Sequence, residues 1–295
     1  AHERFADLPH HLRRGDLVVV NASATIPSSL VATAIGGAEI KLSVSTRLPD
    51  GTCVVEPRRR EARAGDIFHV GGGAAVTLLE PYRASRRLWR ARFDGAGDLV
   101  GYLHRFGTPI AYQHMRSAWP IEAYQTVYAT EAGSAEMPSA GRPFTRAMLA
   151  ALMAQGIGVA SIVLHTGVSS PERDEPPYEE QFRVSDETAA RVRHARAGGG
   201  RVIAVGTTVV RALESAARDR TRIDAASGWT DLVIASDERL SVVDGMITGL
   251  HEPRSTHLAM LEALAGAEHI DAAYRAALAG GYLWHEFGDS HLILP

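Results

Sequence analysis

Residues 201–215 restrict the possible folds of this chain more than any other stretch. The first five, 201–205, are mostly apolar and predict a buried strand, and a Gly-Thr-Thr turn then leads into residues with helical spacing. A helix that begins directly after a strand points its free backbone N–H groups at the sheet edge, where they can bind an anion or a polar ligand. The stretch therefore predicts an α/β layer with a ligand site at Gly206, Thr207 and Thr208.

The rest of the sequence shows two patterns, which predict two domains. Residues 31–105 are rich in turns and in short alternating segments, which are typical of a small barrel or a curled sheet. Elsewhere apolar strands alternate with helical segments, as in an α/β layer. We therefore predict a mixed α/β fold, in which an α/β ligand-binding domain of residues 1–30 and 106–295 carries an inserted, β-barrel-like domain of residues 31–105.

Several individual elements of the α/β domain are also predictable. Apolar runs predict strands at 17–20, 160–164 and 231–235, and Asp244-Gly245 between two apolar pairs predicts a hairpin. Side chains that commonly cap helix N-termini precede three predicted helices. These residues are Thr145, Ser185 and Ser255.

Composition excludes several classes of protein. Of the 295 residues, 45% are hydrophobic and 22% are charged, which is ordinary for a globular protein, and no apolar run approaches the ~20 residues of a membrane span. The single Cys53 excludes an internal disulfide and a cysteine-based metal cluster, and it fits a reducing cytoplasm. We expect a cytoplasmic protein that needs no membrane, and a monomer because no long apolar stripe remains for a partner helix.

Charge is distributed unevenly along the chain. The net charge of −3 is not that of a dedicated nucleic-acid binder, but the first third is rich in arginine. The clustered arginines are Arg58, Arg59, Arg60, Arg63, Arg83, Arg86, Arg87, Arg90 and Arg92. Such a patch could contact phosphates, or it could protect the edges of a sheet, and both interpretations stay open.

Short motifs that follow one another along most of the chain resemble the S-adenosylmethionine:tRNA ribosyltransferase-isomerase family of queuosine biosynthesis. They include Gly15-Asp16-Leu17, Tyr124-Gln125-Thr126-Val127-Tyr128, Leu164-His165, Gly206-Thr207-Thr208 and Gly288-Asp289. The resemblance implies an α/β domain with a β-rich insert. It also implies that S-adenosylmethionine gives its ribosyl unit to an aminomethyl group on a modified tRNA base, while adenine and methionine leave. No metal is required, and the Arg-rich insert becomes a candidate tRNA contact.

The implied reaction needs a base that removes an acidic proton next to the sulfonium, and two histidines match family positions. His165 follows a buried strand, and His251 lies in a loop before a helix. An imidazole at either place could act as a base or hold a ligand. Equally, His165 could be a satisfied histidine at the rim of the core, and His251 could pack at the entry of its helix.

Other polar residues are candidates for binding S-adenosylmethionine. Gly206 allows a ligand to approach the backbone of Thr207 and Thr208. Arg211 could pair with the carboxylate of the methionine moiety, or it could form a structural ion pair with Glu214 or Glu187. The remaining candidates are Asn21, Thr166, Gly167 and Tyr124, although Tyr124 could instead pack with Tyr128 on one helix face.

The chain departs from the family pattern at places that resemble the family's site. Ala24 stands where the family has arginine, Pro143 stands where it has histidine, and two histidines near Tyr178 are replaced, with only Glu180 keeping an acid. Loss of one general base typically costs ~10²- to 10⁴-fold in rate. We therefore expect weak or absent turnover with modified tRNA, with His165 and then His251 as the first candidates for a surviving base.

Three interpretations of these departures stay open. The first is a divergent enzyme that binds S-adenosylmethionine but acts on a small-molecule acceptor, or as a lyase or isomerase. The second is a tRNA-modifying enzyme with relocated catalytic groups. The third is a non-catalytic protein that retains only the ligand pocket.

Overall fold

A computed structural model of the chain describes residues 1–58, 61–111, 119–168, 178–218, 222–252, 255–284 and 287–295. Its strands are β1 (Leu17–Asn21), β2 (Ser23–Thr25), β3 (Ser29–Ala34), β4 (Glu39–Arg47), β5 (Cys53–Pro57), β6 (Ile67–Val70), β7 (Ala75–Pro81), β8 (Trp89–Asp94), β9 (Glu131–Ser134), β10 (Gly158–Leu164), β11 (Glu180–Val184), β12 (Val202–Val205), β13 (Ala226–Thr230), β14 (Gly245–Gly249) and β15 (Ser290–Ile293). Its α-helices are α1 (Leu99–Phe106), α2 (Arg146–Ala154), α3 (Asp186–Ala197), α4 (Thr207–Ala217), α5 (Thr256–Ala265) and α6 (Ala267–Ala279). None of these helices has both the length and the hydropathy that crossing a membrane requires.

The α/β layer is built on a sheet with the strand order β13-β11-β10-β1-β12-β14-β15 among the described residues. The four central strands, β10, β1, β12 and β14, run parallel, and the flanking strands pair antiparallel. The carboxyl ends of the central strands therefore meet at one edge of the sheet. Open α/β sheets usually bind their ligands at this edge.

Burial on both faces of the sheet explains why its central strands read as continuous apolar runs. In β1, Leu17 and Val19 face one core, which α3, α4, α5 and α6 cover. Val18 and Val20 face a second core, to which α2 contributes Leu152. Because successive side chains of a strand point to opposite faces, a strand covered on both sides needs apolar residues at every position.

A closed barrel with the order β3-β4-β5-β8-β7-β6 precedes most of the α/β layer in sequence. Its core residues come from a single stretch that ends in α1, where Leu99, Tyr102 and Leu103 pack against the strands. The predicted mixed α/β fold with a β-barrel-like part is thereby confirmed. The division into domains at residues 31 and 105 stays a prediction.

A small sheet links the barrel to the carboxyl edge of the α/β layer. Strand β2 follows directly after β1 and pairs with β9 in parallel. On the barrel side, the hydroxyl of Ser45 in β4 accepts a hydrogen bond from the Val168 amide at 2.9 Å. A side chain on Gly167 would collide with that hydroxyl. The loop after β10 is therefore packed between the two parts of the molecule.

The three predicted helix caps are confirmed. The Thr145 hydroxyl accepts a hydrogen bond from the Met148 amide at 3.1 Å, and Ser185 does the same for Thr188. Ser255 accepts from the Leu258 amide at 3.2 Å. Each contact joins residues three positions apart, so the local sequence is enough to predict it.

Two predicted elements are wrong. The strand predicted at 231–235 lies instead at 226–230, where β13 pairs with β11. The hairpin predicted around Asp244-Gly245 does not form, because the Glu214 carboxylate binds the backbone amides of Ser241, Val242 and Val243 at 2.8–3.1 Å. These amides are unavailable for strand pairing, and the residues after them join β12 and β15 as β14.

Candidate functional site

Asn21 joins three elements at the carboxyl edge of the sheet. Its side-chain oxygen accepts hydrogen bonds from the amides of Leu164 and Ser23, both at 3.0 Å. Its side-chain nitrogen donates to the Leu164 carbonyl at 2.8 Å and to Thr208 Oγ1 at 3.3 Å. All four hydrogen-bonding positions of the amide are used within the protein. Asn21 thus orders the ends of β1 and β10 and the start of α4, while the binding of a ligand by its own amide stays a prediction.

The first turn of α4 places polar groups at this edge of the sheet. Gly206 has φ +91°, a left-handed conformation that glycine adopts without strain. Thr207 is buried, whereas Thr208 is half-buried. Because Thr208 Oγ1 accepts its bond from Asn21, its hydroxyl proton is left to donate elsewhere. The first amides of the helix have no partner in their own helix, and the helix dipole favours negative charge there.

His165 directly follows β10, which lies on the opposite side of β1 from β12, and its ring contacts β2. Its Nδ1 atom is 2.8 Å from the Ser23 hydroxyl. The Gly133 backbone lies directly against the ring, and a side chain at that position would overlap it. Burial lowers the pKa of His165 below its usual value, an effect that Glu131 opposes and Arg183 reinforces. The ring is therefore neutral near pH 7.

Two serines that sequence reasoning missed connect His165 to the loop that follows it. The hydroxyls of Ser23 and Ser134 are 2.6 Å apart, and Ser134 Oγ accepts the Thr166 amide at 3.1 Å. Ser23 is separated from Ser134 by 111 positions in sequence. Ser23, two residues after Asn21 and just beyond the apolar run of β1, is the one sequence signal that could have drawn attention to this site.

Thr166 and Gly167 shape the loop after β10. The Thr166 hydroxyl donates to the Glu136 carbonyl at 2.5 Å, so this predicted ligand residue ties the loop to the segment after β9. The Gly167 amide donates to Glu180 Oε1 at 2.9 Å. The polar contacts of both residues hold the loop in place, and direct ligand contacts by them stay predictions.

Arg211 forms its ion pair with Glu180, so the predicted pairing with Glu214 or Glu187 is wrong. The guanidinium also donates to the carbonyls of Leu232 and Thr230 at 3.0 Å. The pairing occurs because β11 brings Glu180 next to the first turns of α4. The two side chains are only 6% and 15% exposed. Glu180 therefore links Arg211 to the Gly167 amide, and a contact of Arg211 with a ligand carboxylate stays a prediction.

His251 occupies a separate position at the end of β14. Its Nε2 atom is 2.7 Å from the Thr248 hydroxyl, and its backbone amide donates to the Tyr274 hydroxyl at 2.9 Å. Three strand spacings separate β14 from β10, which is about 14 Å. His165 and His251 therefore do not form one acid–base pair. With its ring buried, His251 supports the loop into α5, and a catalytic role for it stays a prediction.

Tyr124 supports the site from below. It is 2% exposed, its carbonyl accepts from the Thr25 hydroxyl at 3.0 Å, and its ring packs edge-on against Phe287. It shares no helix face with Tyr128, because its short helical turn ends at Tyr124 itself. The neighbouring Gln125 amide bonds both backbone groups of Thr25. The structure thus uses Tyr124 as packing under β2, and its contact with a ligand stays a prediction.

Two residues that depart from the family pattern lie at this same edge. Ala24 is in β2, opposite Ala132 of β9. Pro143 contributes to a small cavity whose wall also carries the Arg142 guanidinium, stacked 4.4 Å from the centre of the Phe287 ring. The cavity is lined by Ser139, Ala140, Arg142, Pro143, Gly249, Phe287, Gly288, Asp289 and Ser290. These two positions therefore lie at the edge but outside the Asn21 hydrogen-bond network.

Many arginines of the barrel are engaged in ion pairs. Arg58 and Arg87 share Glu56, at 3.1 and 2.9 Å, and Arg83 pairs with Glu179 at 2.7 Å. Further pairs join Arg90 to Asp50 and Glu80, and Arg92 to Asp94. Arg59 and Arg60 lie outside the described residues. Ion pairs within the protein thus engage five of these arginines, and phosphate binding by the insert stays a prediction.

Metal ligands are not grouped in the part of the chain that the structure describes, where no three His, Cys, Asp or Glu residues could hold an ion. Cys53 is buried in the barrel core, and burial raises the pKa of its thiol to about 11. The thiol is therefore protonated and unreactive near neutral pH.

Comparisons with known proteins agree with the motifs. A family model described as queuosine biosynthesis protein matches residues 1–293. S-adenosylmethionine:tRNA ribosyltransferase-isomerase from Moorella thermoacetica is 40% identical over 305 residues, covering 99% of this chain and 89% of that protein. The Thermus thermophilus protein of the same name is 37% identical over 311 residues, covering 100% and 88%.

A solved structure shares the fold along the whole chain. The crystal structure of S-adenosylmethionine tRNA ribosyltransferase from Thermotoga maritima matches with a TM-score of 0.55 and 28% identity, covering 100% of this chain and 88% of that one. The resemblance that the motifs indicated is thereby confirmed. The chain belongs to the queuosine biosynthesis protein family.

Proposed function

We propose that this protein is an S-adenosylmethionine-dependent ribosyltransferase-isomerase that modifies tRNA in queuosine biosynthesis. Relatives of that name align with it over 99–100% of its length. The structural observation that carries the proposal is the Asn21 network, which assembles Thr208 and the loop at Leu164 and His165 at one ligand-binding edge. S-adenosylmethionine is the ribosyl donor and is consumed as a substrate.

The donor is proposed to bind between the first turn of α4 and the loop after β10. The free amides at the start of α4 and the hydroxyl proton of Thr208 suit the carboxylate of the methionine moiety, because a helix N-terminus favours an anion. The ribose and adenine then extend toward His165. Gly206 supports this arrangement because its positive φ lets α4 begin directly after β12.

The tRNA is proposed to contact exposed arginines of the barrel that form no ion pair among the described residues. Arg63 and Arg86 are both exposed, and neither occurs in an ion pair within the described part of the barrel. A free guanidinium can displace the counterions of a phosphate, whereas a paired one must first leave its carboxylate. We further propose a monomeric, cytoplasmic protein, in keeping with its composition.

Mass spectrometry of the products tests the function. The protein is incubated with S-adenosylmethionine alone, with tRNA carrying the aminomethyl-modified base, and with a small amine. Adenine and methionine released only with the tRNA, together with a modified base of increased mass in that tRNA, are the expected result. Release of both products with the small amine and not with tRNA would instead identify the divergent enzyme, and binding without breakdown would identify a ligand-binding protein.

The family assignment favours tRNA as the acceptor. Ala24 and Pro143 remove a cation and an imidazole from the edge, but nothing in the described residues points separately to a small acceptor. The rate with tRNA, measured against a relative that carries both groups, decides whether these losses reduce turnover as expected.

A further inference from the structure

We infer that Ser134 and Ser23 are positioning residues that hold His165 with a proton on Nε2, so that this ring donates a hydrogen bond to the substrate and does not act as its base. The inference rests on the proposed function for the identity of the substrate. The assignment of the His165 proton to Nε2 follows from the direction of the hydrogen bonds around Ser134.

The chain of hydrogen bonds starts at a backbone amide, whose direction is fixed. The Thr166 N–H can only donate, so Ser134 Oγ accepts at 3.1 Å. The Ser134 side chain is fully buried, and a buried hydroxyl proton needs an acceptor. Its described acceptor is Ser23 Oγ, 2.6 Å away. The proton of Ser134 therefore lies between the two serines.

The same logic fixes the next bond. Because Ser23 Oγ accepts from Ser134, it directs its own proton to His165 Nδ1, 2.8 Å away. Asn21 holds the Ser23 backbone amide at 3.0 Å and so keeps this serine in place. In the reverse direction, with Nδ1 donating to Ser23 and Ser23 donating to Ser134, the buried Ser134 proton would have no acceptor among the described residues. Nδ1 is therefore the acceptor.

A neutral imidazole carries one proton, so an accepting Nδ1 leaves that proton on Nε2. Burial keeps the ring neutral. Nε2 has no hydrogen-bond partner among the described residues, and the protein does not enclose it. At Nε2 the substrate consequently meets a hydrogen-bond donor. Groups that fit it have a lone pair, such as a ribose oxygen, a ring nitrogen of adenine or a carboxylate.

The base required by the implied reaction is then a different group. For His165 to accept a proton at Nε2, both serine hydroxyls would have to reverse and leave the Ser134 proton without a partner. Leaving such a buried group unsatisfied is costly. The Ser134–Ser23 pair thus disfavours the role of general base that the sequence predicts for this histidine.

Nitrogen-15 NMR of the histidine rings tests the inference without any substrate. The chain has 13 histidines, and the His165 signals are those missing from the H165Q spectrum. We expect a protonated Nε2 and an unprotonated Nδ1 in the wild type at pH 7.5, and a mixture of both tautomers in S23A. A protonated Nδ1 in the wild type, or an unchanged tautomer in S23A, would overturn the inference even if the enzyme is fully active.

Kinetics provide a second, independent test. A glutamine amide can place an N–H near the position of Nε2, whereas an asparagine amide is too short to reach it. We expect H165Q to stay within about tenfold of wild-type kcat, and H165N and H165A to lose ~10²–10³-fold, the usual cost of removing one such donor. H69Q, which changes an exposed histidine of β6, serves as the control with unchanged kcat.

The pH dependence separates a donor from a base. A donating His165 keeps its Nε2–H when it is protonated, so the acid limb of kcat/KM should be the same in the wild type and H165Q. If H165Q is as inactive as H165A and the wild type loses activity through an acid limb that H165Q lacks, His165 is a base and the inference is wrong. If no variant and no wild-type sample turns over, the proposed function fails, while the NMR result still decides the tautomer.

Discussion

Asn21 Nδ2 donates to Thr208 Oγ1 at 3.3 Å, which connects the end of β1 to the first turn of α4. The same amide group holds both backbone groups of Leu164. One side chain thus connects the loop at His165 to the start of α4, and we expect the affinity of a ligand that binds between them to depend on it.

Removing the Asn21 amide should destabilise the protein and weaken its ligand binding together. N21A leaves the amides of Leu164 and Ser23 without their acceptor, and a buried unsatisfied group costs about 1–3 kcal/mol. We expect the free energy of unfolding, measured by urea denaturation, to fall by at least ~2 kcal/mol. The affinity for S-adenosylmethionine, measured by calorimetry, should fall too. Full affinity in a destabilised N21A would separate the network from the ligand site.

Thr208 should bind the donor through its hydroxyl proton. T208V keeps the shape of the side chain but removes the proton, so we expect the affinity for S-adenosylmethionine to fall by ~1–2 kcal/mol. T208S should restore most of it. T77V, in strand β7 of the barrel, is the matched control. Equal affinities of wild type, T208V and T77V in calorimetry would place the ligand elsewhere.

Two half-buried histidines should make the protein less stable in mild acid. Burial lowers the pKa of His291, and burial with Arg183 lowers that of His165 against the opposing effect of Glu131. In the unfolded chain both titrate near pH 6.5, so the unfolded state binds more protons below that pH. Their contribution to stability is complete above about pH 6.5 and is lost as the pH falls toward the folded pKa values.

Denaturation curves at pH 7.5 and 5.5 check this dependence. The free energy of unfolding should be lower at pH 5.5, and H291F should reduce the difference between the two pH values. H69Q, at an exposed position, should leave the difference unchanged. A pH difference that is the same in the wild type and H291F would contradict the assignment to His291.

Breaking the ion pair of Arg211 should be more harmful than removing both partners. E180A leaves a buried guanidinium unpaired, which typically costs 3–5 kcal/mol, whereas an apolar pair can be nearly neutral. We therefore expect E180A to unfold at much lower urea concentration than the double variant E180L/R211M. The surface pair of Arg275 and Asp271 on α6 provides the control, since D271A should change stability by ~0–1 kcal/mol.

Unpaired and paired arginines of the barrel should differ in their effect on tRNA binding. R63A and R86A should each weaken binding and reduce the salt slope of log Kd by about 1, as expected for one lost phosphate contact. R92A removes an arginine that Asp94 already neutralises, so its effect should be smaller. Fluorescence anisotropy over a range of salt concentrations measures these slopes. Identical slopes in all three variants and the wild type would exclude this face as the tRNA contact.

The local sequence determined the elements whose cause lies within a few residues. Thr145, Ser185 and Ser255 each cap a helix through an amide three positions ahead. The continuous apolar run of β1 follows from burial on both faces of the sheet. The Gly206 turn into α4 follows from a left-handed backbone that glycine permits. These are properties of short segments, and the family motifs are composed of such segments.

Only the tertiary structure decided which polar groups meet. Ser23 contacts Ser134 and His165 across 111 and 142 positions, and Glu180, not Glu214, reaches Arg211. Spacing along the chain says nothing about such pairs, because a hydrogen bond depends on positions fixed by the strand order and by packing between barrel and sheet. The sequence by itself therefore determined the family and the elements whose cause is local, whereas the fold determined which polar residues bind each other and where the proton of His165 lies.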